Sequence, residues 1–223
     1  MADLYDIYHC ETKPGHIALQ WFGYSGVVVR TSQVTLILDP VSLDPKPYMR
    51  ADVIAITHEH PDHWDRKTVL ALQRQTDAVV ATTPLLASRL RLAPGKVQGL
   101  TKGDVLAFKG ARLHAEAADH AADQPLTFLF QSESGITIYD PDDSYPSPEM
   151  RILAQRFSLD VLLFVGSVAE RGVDIARLWK PRVFAFPTYA SPLYAETVSR
   201  MVTKDLPGVQ AHPLNPQEVH FYP

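Results

Sequence analysis

Three histidines and one aspartate lie within the six-residue segment HEHPDH: His58, His60, Asp62 and His63. The chain has nine histidines, and three of them fall in this segment, so chance clustering explains it poorly. Imidazole nitrogens and carboxylate oxygens are ligands for divalent ions such as zinc. The segment therefore predicts a metal centre.

The spacing of these side chains predicts two neighbouring metal sites. Side chains two residues apart on an extended backbone point the same way, so His58 and His60 are placed to bind one ion. Pro61 restricts His60 to an extended conformation and is expected to end the strand there. Asp62 and His63 then lie on the following turn, where they are displaced toward a second ion.

The chain before the histidines shows the pattern of β-strands. β-Branched and apolar runs separated by short turns predict an antiparallel meander over HIALQWFG, GVVVR and VTLILDP. The run ADVIAIT, directly before the histidines, is apolar enough to be a strand covered on both faces. The histidine segment is thus expected to leave a buried strand.

After the histidines, strands and helices alternate. Asp65 is placed to cap a helix over RKTVLALQRQ, and LTFLF and GITIYD predict a hairpin. The tail ends in one polar strand that carries His212 and His220. Strands followed by helices, twice over, predict an α/β fold of two packed sheets with helices outside each, a four-layer αββα sandwich. We see no linker and predict a single domain over residues 1–223.

Composition narrows the classes of function. The net charge of -4 at pH 7, without a run of basic residues, disfavours a nucleic-acid partner and favours a small-molecule substrate. Cys10 is the single cysteine, so a metal must take nitrogen and oxygen ligands. We find neither a membrane-spanning apolar run nor a secretory signal pattern and expect a cytoplasmic protein without a membrane partner. The sequence predicts no oligomeric state.

HEHPDH matches the HxHxDH motif of the metallo-β-lactamase superfamily and stands, as there, between an apolar strand and a helix. Within that superfamily, the chain resembles the ascorbate-6-phosphate-lactonase-like metal-dependent hydrolases. WFGYSGVVVRTSQVTLILDP is similar to their opening, which ends in Asp-Pro, here Asp39 and Pro40. The resemblance covers roughly residues 16 to 190 and implies the metallo-β-lactamase fold.

The resemblance also implies the remaining metal ligands. AADHAADQPLTFLFQSESGITIYDPDDS is similar to the family's third-histidine strand, hairpin and bridging-aspartate turn. This similarity places His120 as the third ligand of the first metal and Asp143 as the aspartate that bridges the two metals. The family turn usually reads Gly-Asp, so Asp142 remains an alternative to Asp143.

Two positions depart from the family pattern. The family's last metal-binding histidine follows a strand and a proline, where this chain has FPTY ending at Tyr189. Tyr24 stands in the N-terminal turn where histidine is common. We expect Tyr189 to pack near the pocket rather than bind metal. His212 and His220 are interpreted as non-ligands, with His212 the first candidate if another histidine replaced the missing one. Whether one or two ions bind is therefore open, and Arg171 is interpreted as an ordinary surface charge.

The resemblance and the ligand types together imply a metal-dependent hydrolase. One or two divalent ions would lower the pKa of bound water toward about 7 and supply metal-bound hydroxide. Zinc is the first expectation for the metal, followed by manganese or iron. The expected target is an ester, lactone, amide or phosphodiester bond, with Asp62 as second-metal ligand or general base. Two alternatives stay open: a degenerate member that binds a metal or ligand without turnover, and a single-iron thiol oxidoreductase.

Overall fold

The structure, a computed structural model, describes residues 6–41, 44, 50–166, 168–189, 191–216 and 218–222. The elements follow in the order α1 (Asp6–His9), β1 (Ile17–Gly23), β2 (Gly26–Arg30), β3 (Thr35–Leu38), β4 (Val53–Ala55), α2 (Arg66–Thr76), β5 (Val79–Thr82), α3 (Pro84–Leu90), β6 (Val97–Gly99), β7 (Val105–Phe108), β8 (Ala111–Ala117), β9 (Leu126–Gln131), β10 (Thr137–Asp140), α4 (Pro148–Arg156), β11 (Val161–Leu163), α5 (Ala169–Trp179), β12 (Val183–Pro187), α6 (Pro192–Asp205), β13 (Gln210–Leu214) and β14 (Val219–Tyr222). None of the described helices has both the length and the apolar character needed to cross a bilayer.

Two seven-stranded sheets form the middle of the fold, in the orders β14-β1-β2-β3-β4-β5-β6 and β13-β12-β11-β10-β9-β8-β7. In the first sheet, β1 to β3 pair antiparallel and β3 to β6 pair parallel. In the second sheet, β7 to β10 pair antiparallel and β10 to β13 pair parallel. The predicted N-terminal meander and the β9–β10 hairpin are confirmed.

Alternate residues along a strand face two different apolar layers. In β4, Val53 and Ala55 belong to the layer between the two sheets. Ile54 belongs to the outer layer, where it joins Val69 and Leu72 of α2. Helices α4, α5 and α6 cover the second sheet in the same way. The predicted four-layer αββα sandwich is confirmed.

Three local predictions differ from the structure. β4 ends at Ala55, and irregular backbone carries the chain to His60, so the prediction that Pro61 ends the strand is wrong. The prediction of one polar C-terminal strand is also wrong, because His212 lies in β13 of the second sheet and His220 in β14 of the first. α1 and β6 were not predicted, because elements of four and three residues are too short to show a periodicity in the sequence.

The turn after His60 is held by its own backbone and by the start of α2. The N–H groups of His63 and Trp64 both donate to the carbonyl oxygen of His60, at 3.0 and 2.8 Å. The Asp65 carboxylate then accepts hydrogen bonds from the backbone of Lys67 and Thr68, as predicted for a helix cap. The histidine segment is therefore tied directly to a packed helix.

Helix α5 approaches the second sheet closely because Gly172 has no side chain. A Cβ atom at this position would lie 2.6 Å from Cδ1 of Phe164 and 2.8 Å from Cζ of Phe184. Both rings are fully buried and cannot move aside without disturbing the core. Gly172 therefore sets the distance at which α5 carries its side chains past the sheet.

We predict that Gly172→Ala destabilises the protein by about 1–3 kcal/mol, because overpacking outweighs the better helix propensity of alanine. The free energy of unfolding in urea measures this change. Glu170→Ala, at an exposed position of the same helix, is the control and should stay within about 0.5 kcal/mol. Equal stabilities of the two variants would contradict the packing argument.

Candidate metal centre

The predicted site residues meet at one edge of the sandwich. β3 and β4 pair parallel, so the residues that follow them come together at one edge, and the contacts of Asp142 with His58 and His63 bring the turn after β10 to the same place. The two sheets are joined at this edge by a hydrogen bond from Leu126 N to Thr57 O, 3.1 Å long. The His120 loop is attached to the turn after β10 by a bridge between Asp119 and Tyr145. Backbone contacts thus hold the loops that carry the site.

Three imidazoles form one group at this edge. Each of His58, His60 and His120 offers a ring nitrogen, and these nitrogens lie within 4.8 Å of one another. His120 Nε2 is 3.1 Å from His60 Nδ1. Nitrogens bound tetrahedrally to zinc at about 2.0–2.1 Å stand about 3.3 Å apart, so the spacing suits a shared cation.

The Nε2 atom of His58 provides an independent test of this fit. His58 is fully buried, and its Nε2 has no hydrogen-bond partner among the described residues. A buried polar nitrogen without a partner costs free energy, and a cation between the three rings would remove that cost. The residues present therefore fit a metal ion.

The opposite nitrogen of His58 is held by a buried carboxylate. Asp142 Oδ2 lies 2.9 Å from His58 Nδ1, with both side chains fully buried. Burial alone would lower the pKa of His58, but the contact with Asp142 outweighs it and raises the pKa. Asp142 thereby fixes the ring so that Nε2 faces His60 and His120.

His63 is oriented in the same manner. Its Nδ1 lies 2.9 Å from Asp39 Oδ2 and 2.9 Å from Asp142 Oδ1. Burial disfavours the charged imidazole, but the surrounding carboxylates outweigh this effect and raise the pKa of His63. One carboxylate, that of Asp142, therefore positions both His58 and His63.

The other nitrogen of His63 faces a second set of possible ligands. His63 Nε2 lies 3.5 Å from Asp143 Oδ2 and 3.8 Å from Asp62 Oδ2. The Ser25 hydroxyl, in the turn between β1 and β2, lies 3.0 Å from the same nitrogen. His63 and Asp143 form a second group of potential ligands together with His58, whereas Asp62 belongs to none of the groups found among the described residues.

The turn after β10 gives its two aspartates different surroundings. Asp142 adopts the left-handed conformation (φ 55°) and is fully buried against the Nδ1 atoms of His58 and His63. Burial would raise the pKa of Asp142, but the two imidazoles outweigh it and lower the pKa. Asp143 is less buried, and its carboxylate faces His63 Nε2. The geometry thus separates an orienting role for Asp142 from a ligand position for Asp143.

Arg171 does not behave as the surface charge we expected from sequence. Its side chain is 14% exposed and donates a hydrogen bond to the Asp143 carbonyl oxygen, with Nη1 3.7 Å from Asp143 Oδ1. The guanidinium also stacks over the Tyr145 ring at 4.1 Å. Helix α5 thus contributes a cation beside the Asp143 carboxylate, and the surface interpretation of Arg171 was wrong.

Two tyrosines stand where the family pattern has histidines. The Tyr189 hydroxyl donates to the Val165 carbonyl oxygen, and its ring packs edge-on against Trp21 at 5.5 Å. Burial raises the pKa of Tyr189, so its phenol stays protonated. Tyr24 is 61% exposed. Tyr189 packs at the rim of the site, as expected, and its hydroxyl is committed to the backbone.

His212 does not replace the missing histidine. Its Nε2 lies 2.9 Å from Nδ1 of His220, where β13 of one sheet faces β14 of the other. It belongs to none of the groups of potential ligands found among the described residues. This placement agrees with the expectation that His212 and His220 are not metal ligands.

Sequence reasoning missed Ser25 and gave three other residues of the site a different role: Asp39, Arg171, and Asp142, which was considered only as an alternative bridging ligand. Ser25, Asp39 and Asp142 contact the imidazoles, and Arg171 contacts Asp143. Asp39 was noted only as part of the Asp-Pro resemblance, and its position directly after an apolar strand was the usable signal. Nothing in the local sequence of Ser25 or Arg171 indicates the site, because their contacts span 38 and 28 residues of chain.

Comparisons with known proteins agree with this geometry. The chain is 27% identical over 172 residues to a UPF0173 protein of Pyrococcus abyssi, covering 73% of this chain and 79% of the relative. It is 26% identical over 216 residues to a UPF0173 metal-dependent hydrolase of Geobacillus thermodenitrificans, covering 86% and 94%. The structure of Igni18, a metallo hydrolase from Ignicoccus hospitalis, superimposes with a TM-score of 0.79 at 18% identity, covering 93% and 99%.

A family model for the β-lactamase superfamily domain matches residues 18–168. This match spans more than half of the chain and contains the histidine segment, His120 and both candidate aspartates. The ascorbate-6-phosphate-lactonase-like subfamily stays a prediction. The chain belongs to the β-lactamase superfamily.

Proposed function

We propose that the protein is a metal-dependent hydrolase that cleaves an ester, lactone, amide or phosphodiester bond of a small molecule. The single observation that carries this proposal is the buried, unpartnered Nε2 of His58, which faces His60 and His120. The relative in Geobacillus thermodenitrificans is named as a metal-dependent hydrolase, which supports the same reading.

In this proposal His58, His60 and His120 hold the first ion. Asp62 and His63 hold the second, with Asp143 between the two. The nitrogen-rich first set favours zinc. A divalent ion bound there acidifies water and polarises the bond to be broken.

The chain's own residues orient the reacting groups and accept a proton. With the second position empty, the Asp62 carboxylate, whose side chain is 56% exposed, would take the proton from the attacking water at Oδ2. Asp39 and Asp142 contact imidazole Nδ1 atoms, opposite the Nε2 atoms that face the candidate ligand groups. Arg171 holds Asp143 through its carbonyl oxygen and stands near its carboxylate.

The second ion is held more weakly than the first. The three-imidazole set is complete, whereas the second set lacks a histidine at Tyr189, whose hydroxyl donates to Val165. Ser25 Oγ is a neutral oxygen and a weaker ligand than an imidazole. Loss of the second ion would leave Asp62 acting as the base alone.

We predict that His58→Ala or His60→Ala removes the bound metal and abolishes turnover, because each deletes one nitrogen of the first set. Metal content by elemental analysis and hydrolysis of a panel of esters, lactones and phosphodiesters measure both effects. His16→Ala, at an exposed histidine outside the site, is the control and keeps both. Full hydrolytic activity in either of the two site variants would contradict this mechanism. Stoichiometric metal without any hydrolysis would instead identify a binding protein.

Protein purified without added metal should contain about one tightly held ion per chain, because only the first set is complete. A second ion should bind only when metal is supplied in excess. Elemental analysis measures the metal content of the purified protein, and calorimetric titration measures the affinity for a second ion. Two ions of equal, tight affinity would show that Ser25 or another group completes the second set. Iron together with oxygen uptake on thiols would favour the oxidoreductase.

Asp142→Asn should weaken metal binding by about 10–100-fold, the usual effect of losing a group that orients metal ligands. Each oxygen of the Asp142 carboxylate lies 2.9 Å from one imidazole Nδ1, and the amide of asparagine would place an uncharged NH2 group at one of these two positions. Competition with a chelator measures the affinity, and circular dichroism checks the fold. Asp123→Asn, at an exposed aspartate, should leave the affinity unchanged. Unchanged affinity in Asp142→Asn would refute the orienting role.

A further inference from the structure

Exposed apolar side chains gather at the edge of the sandwich that carries the candidate metal centre. Among the described residues, eight large hydrophobic side chains are exposed. Five of them lie in the β1–β2 turn or shortly after β10, β11 or β12, which are parallel and end at this edge: Tyr24, Tyr145, Val168, Tyr189 and Leu193. Apolar surface that includes three tyrosine rings thus borders the metal centre.

Tyr24 lies next to a residue that contacts a candidate ligand. The hydroxyl of its neighbour Ser25 is 3.0 Å from His63 Nε2. The Tyr24 carbonyl oxygen accepts a hydrogen bond of 2.8 Å from Nε1 of Trp21, which fixes the turn. The Tyr24 side chain itself is largely exposed. The first sheet therefore presents an aromatic ring to solvent beside His63.

Tyr189 borders the same group of potential ligands from the second sheet. Its ring packs edge-on against Trp21 and against Tyr194, each at 5.5 Å between ring centres. Burial is the main cause of the raised pKa of this phenol, and the charges of Asp143 and His63 also act on it. Charges act appreciably only over short distances, so the ring lies close to these two candidate ligands.

Both tyrosines adopt a backbone conformation that bulky side chains rarely adopt. The φ angles of Tyr24 and Tyr189 are 48° and 49°, in the left-handed region. Glycine or asparagine would occupy such positions with less strain. Because the Tyr24 ring is largely exposed, packing within the chain does not compensate this strain. Strain and exposure together indicate that the ring contacts something outside the chain.

Charged side chains beside the rings favour a small molecule over a protein partner. The Asp62 side chain is 56% exposed and that of Asp143 is 25% exposed. Arg171 stacks over the Tyr145 ring. Charged residues are depleted from the buried core of protein–protein interfaces, because an unpaired buried charge costs free energy. Rings beside polar ligands instead suit a molecule with one flat apolar part and one polar bond.

We propose that Tyr24 and Tyr189 bind a flat aromatic group of the substrate, next to the bond that is hydrolysed. Aromatic rings attract one another in offset or edge-to-face arrangements beyond the effect of the apolar area that they bury. The substrate class is thus a small aromatic molecule whose scissile bond lies at the metal centre. This assignment of substrate rests on the proposed hydrolase function, whereas binding of an aromatic group by the tyrosines does not.

Indole, a neutral flat probe, tests the binding of aromatic groups, and ligand-observed NMR measures its dissociation constant. Tyr24→Asn should weaken indole binding at least about threefold, because it removes one ring. Its urea midpoint should equal or exceed that of the unchanged protein, because asparagine tolerates the left-handed conformation. Tyr24→Phe keeps the ring and should change the affinity by less than about twofold.

Phe221→Asn is the matched control, because it removes an exposed aromatic ring from β14, away from the metal centre. This variant should bind indole as the unchanged protein does. Equal weakening in Phe221→Asn and Tyr24→Asn, or no binding by the unchanged protein, would overturn the proposal. A dimer of the unchanged protein that dissociates in Tyr24→Asn, seen by sedimentation, would also overturn it and assign the ring to an interface between two copies.

His58→Ala separates the aromatic site from the metal. If the tyrosines bind the probe, this variant keeps its indole affinity, and loss of binding would place the probe on the metal and overturn the proposal. Indole binding that weakens in Tyr24→Asn, together with no hydrolysis of the panel, would retain the aromatic site and reject the hydrolase.

For an active protein, benzyl acetate and cyclohexylmethyl acetate make a matched pair of esters, since their alcohols have similar size and only the first is flat. Tyr24→Asn should lower kcat/KM for benzyl acetate at least about threefold more than for cyclohexylmethyl acetate. Phe221→Asn should change neither value. An equal fall for both esters in Tyr24→Asn would exclude recognition of an aromatic group by this ring.

Discussion

The contact of one buried carboxylate with two imidazoles determines the geometry of the metal centre. Asp142 lies 2.9 Å from the Nδ1 atoms of both His58 and His63. With Nδ1 committed, the Nε2 atoms of the two rings face the two groups of candidate ligands. A histidine side chain otherwise rotates about two bonds, and a metal site built on free rotamers would be too loose to bind selectively.

Burying this carboxylate requires compensation from its neighbours. Three aspartates, Asp39, Asp140 and Asp142, are buried within the same region. Burial raises the pKa of Asp140, whose Oδ1 accepts the backbone N–H of Asp142. The imidazoles lower the pKa of Asp142 and favour its charged form, whereas burial favours the neutral form of Asp140. The hydrogen bond from the Asp142 N–H to Asp140 Oδ1 and the contacts of Asp142 with the two imidazoles hold the turn.

The loop after β4 carries residues that lie in two different regions of the protein. Its histidines turn inward to the candidate metal centre, while Trp64 and Arg66 lie at the outer surface beside α3. Asp65 joins the two by capping α2, which fixes the loop against a packed helix.

The sequence by itself determined most of the strands, most helices, the sandwich and the grouping of His58, His60, Asp62 and His63. Hydrophobic periodicity and close spacing are local properties, so they can be read without knowing the fold. The similarity to a known family supplied His120 and Asp143, which local patterns alone do not distinguish from surface residues.

Only the tertiary structure decided which atoms face one another. Ser25, Asp39 and Arg171 reach the site from three separate loops or helices, and His212 is directed away from it into a contact with His220. The distinction between Asp142 and Asp143 also depends on the turn conformation and on imidazoles more than 70 residues earlier in the chain. Such contacts arise from packing between distant segments, and their physical cause is the meeting of strand ends at one edge of the sandwich.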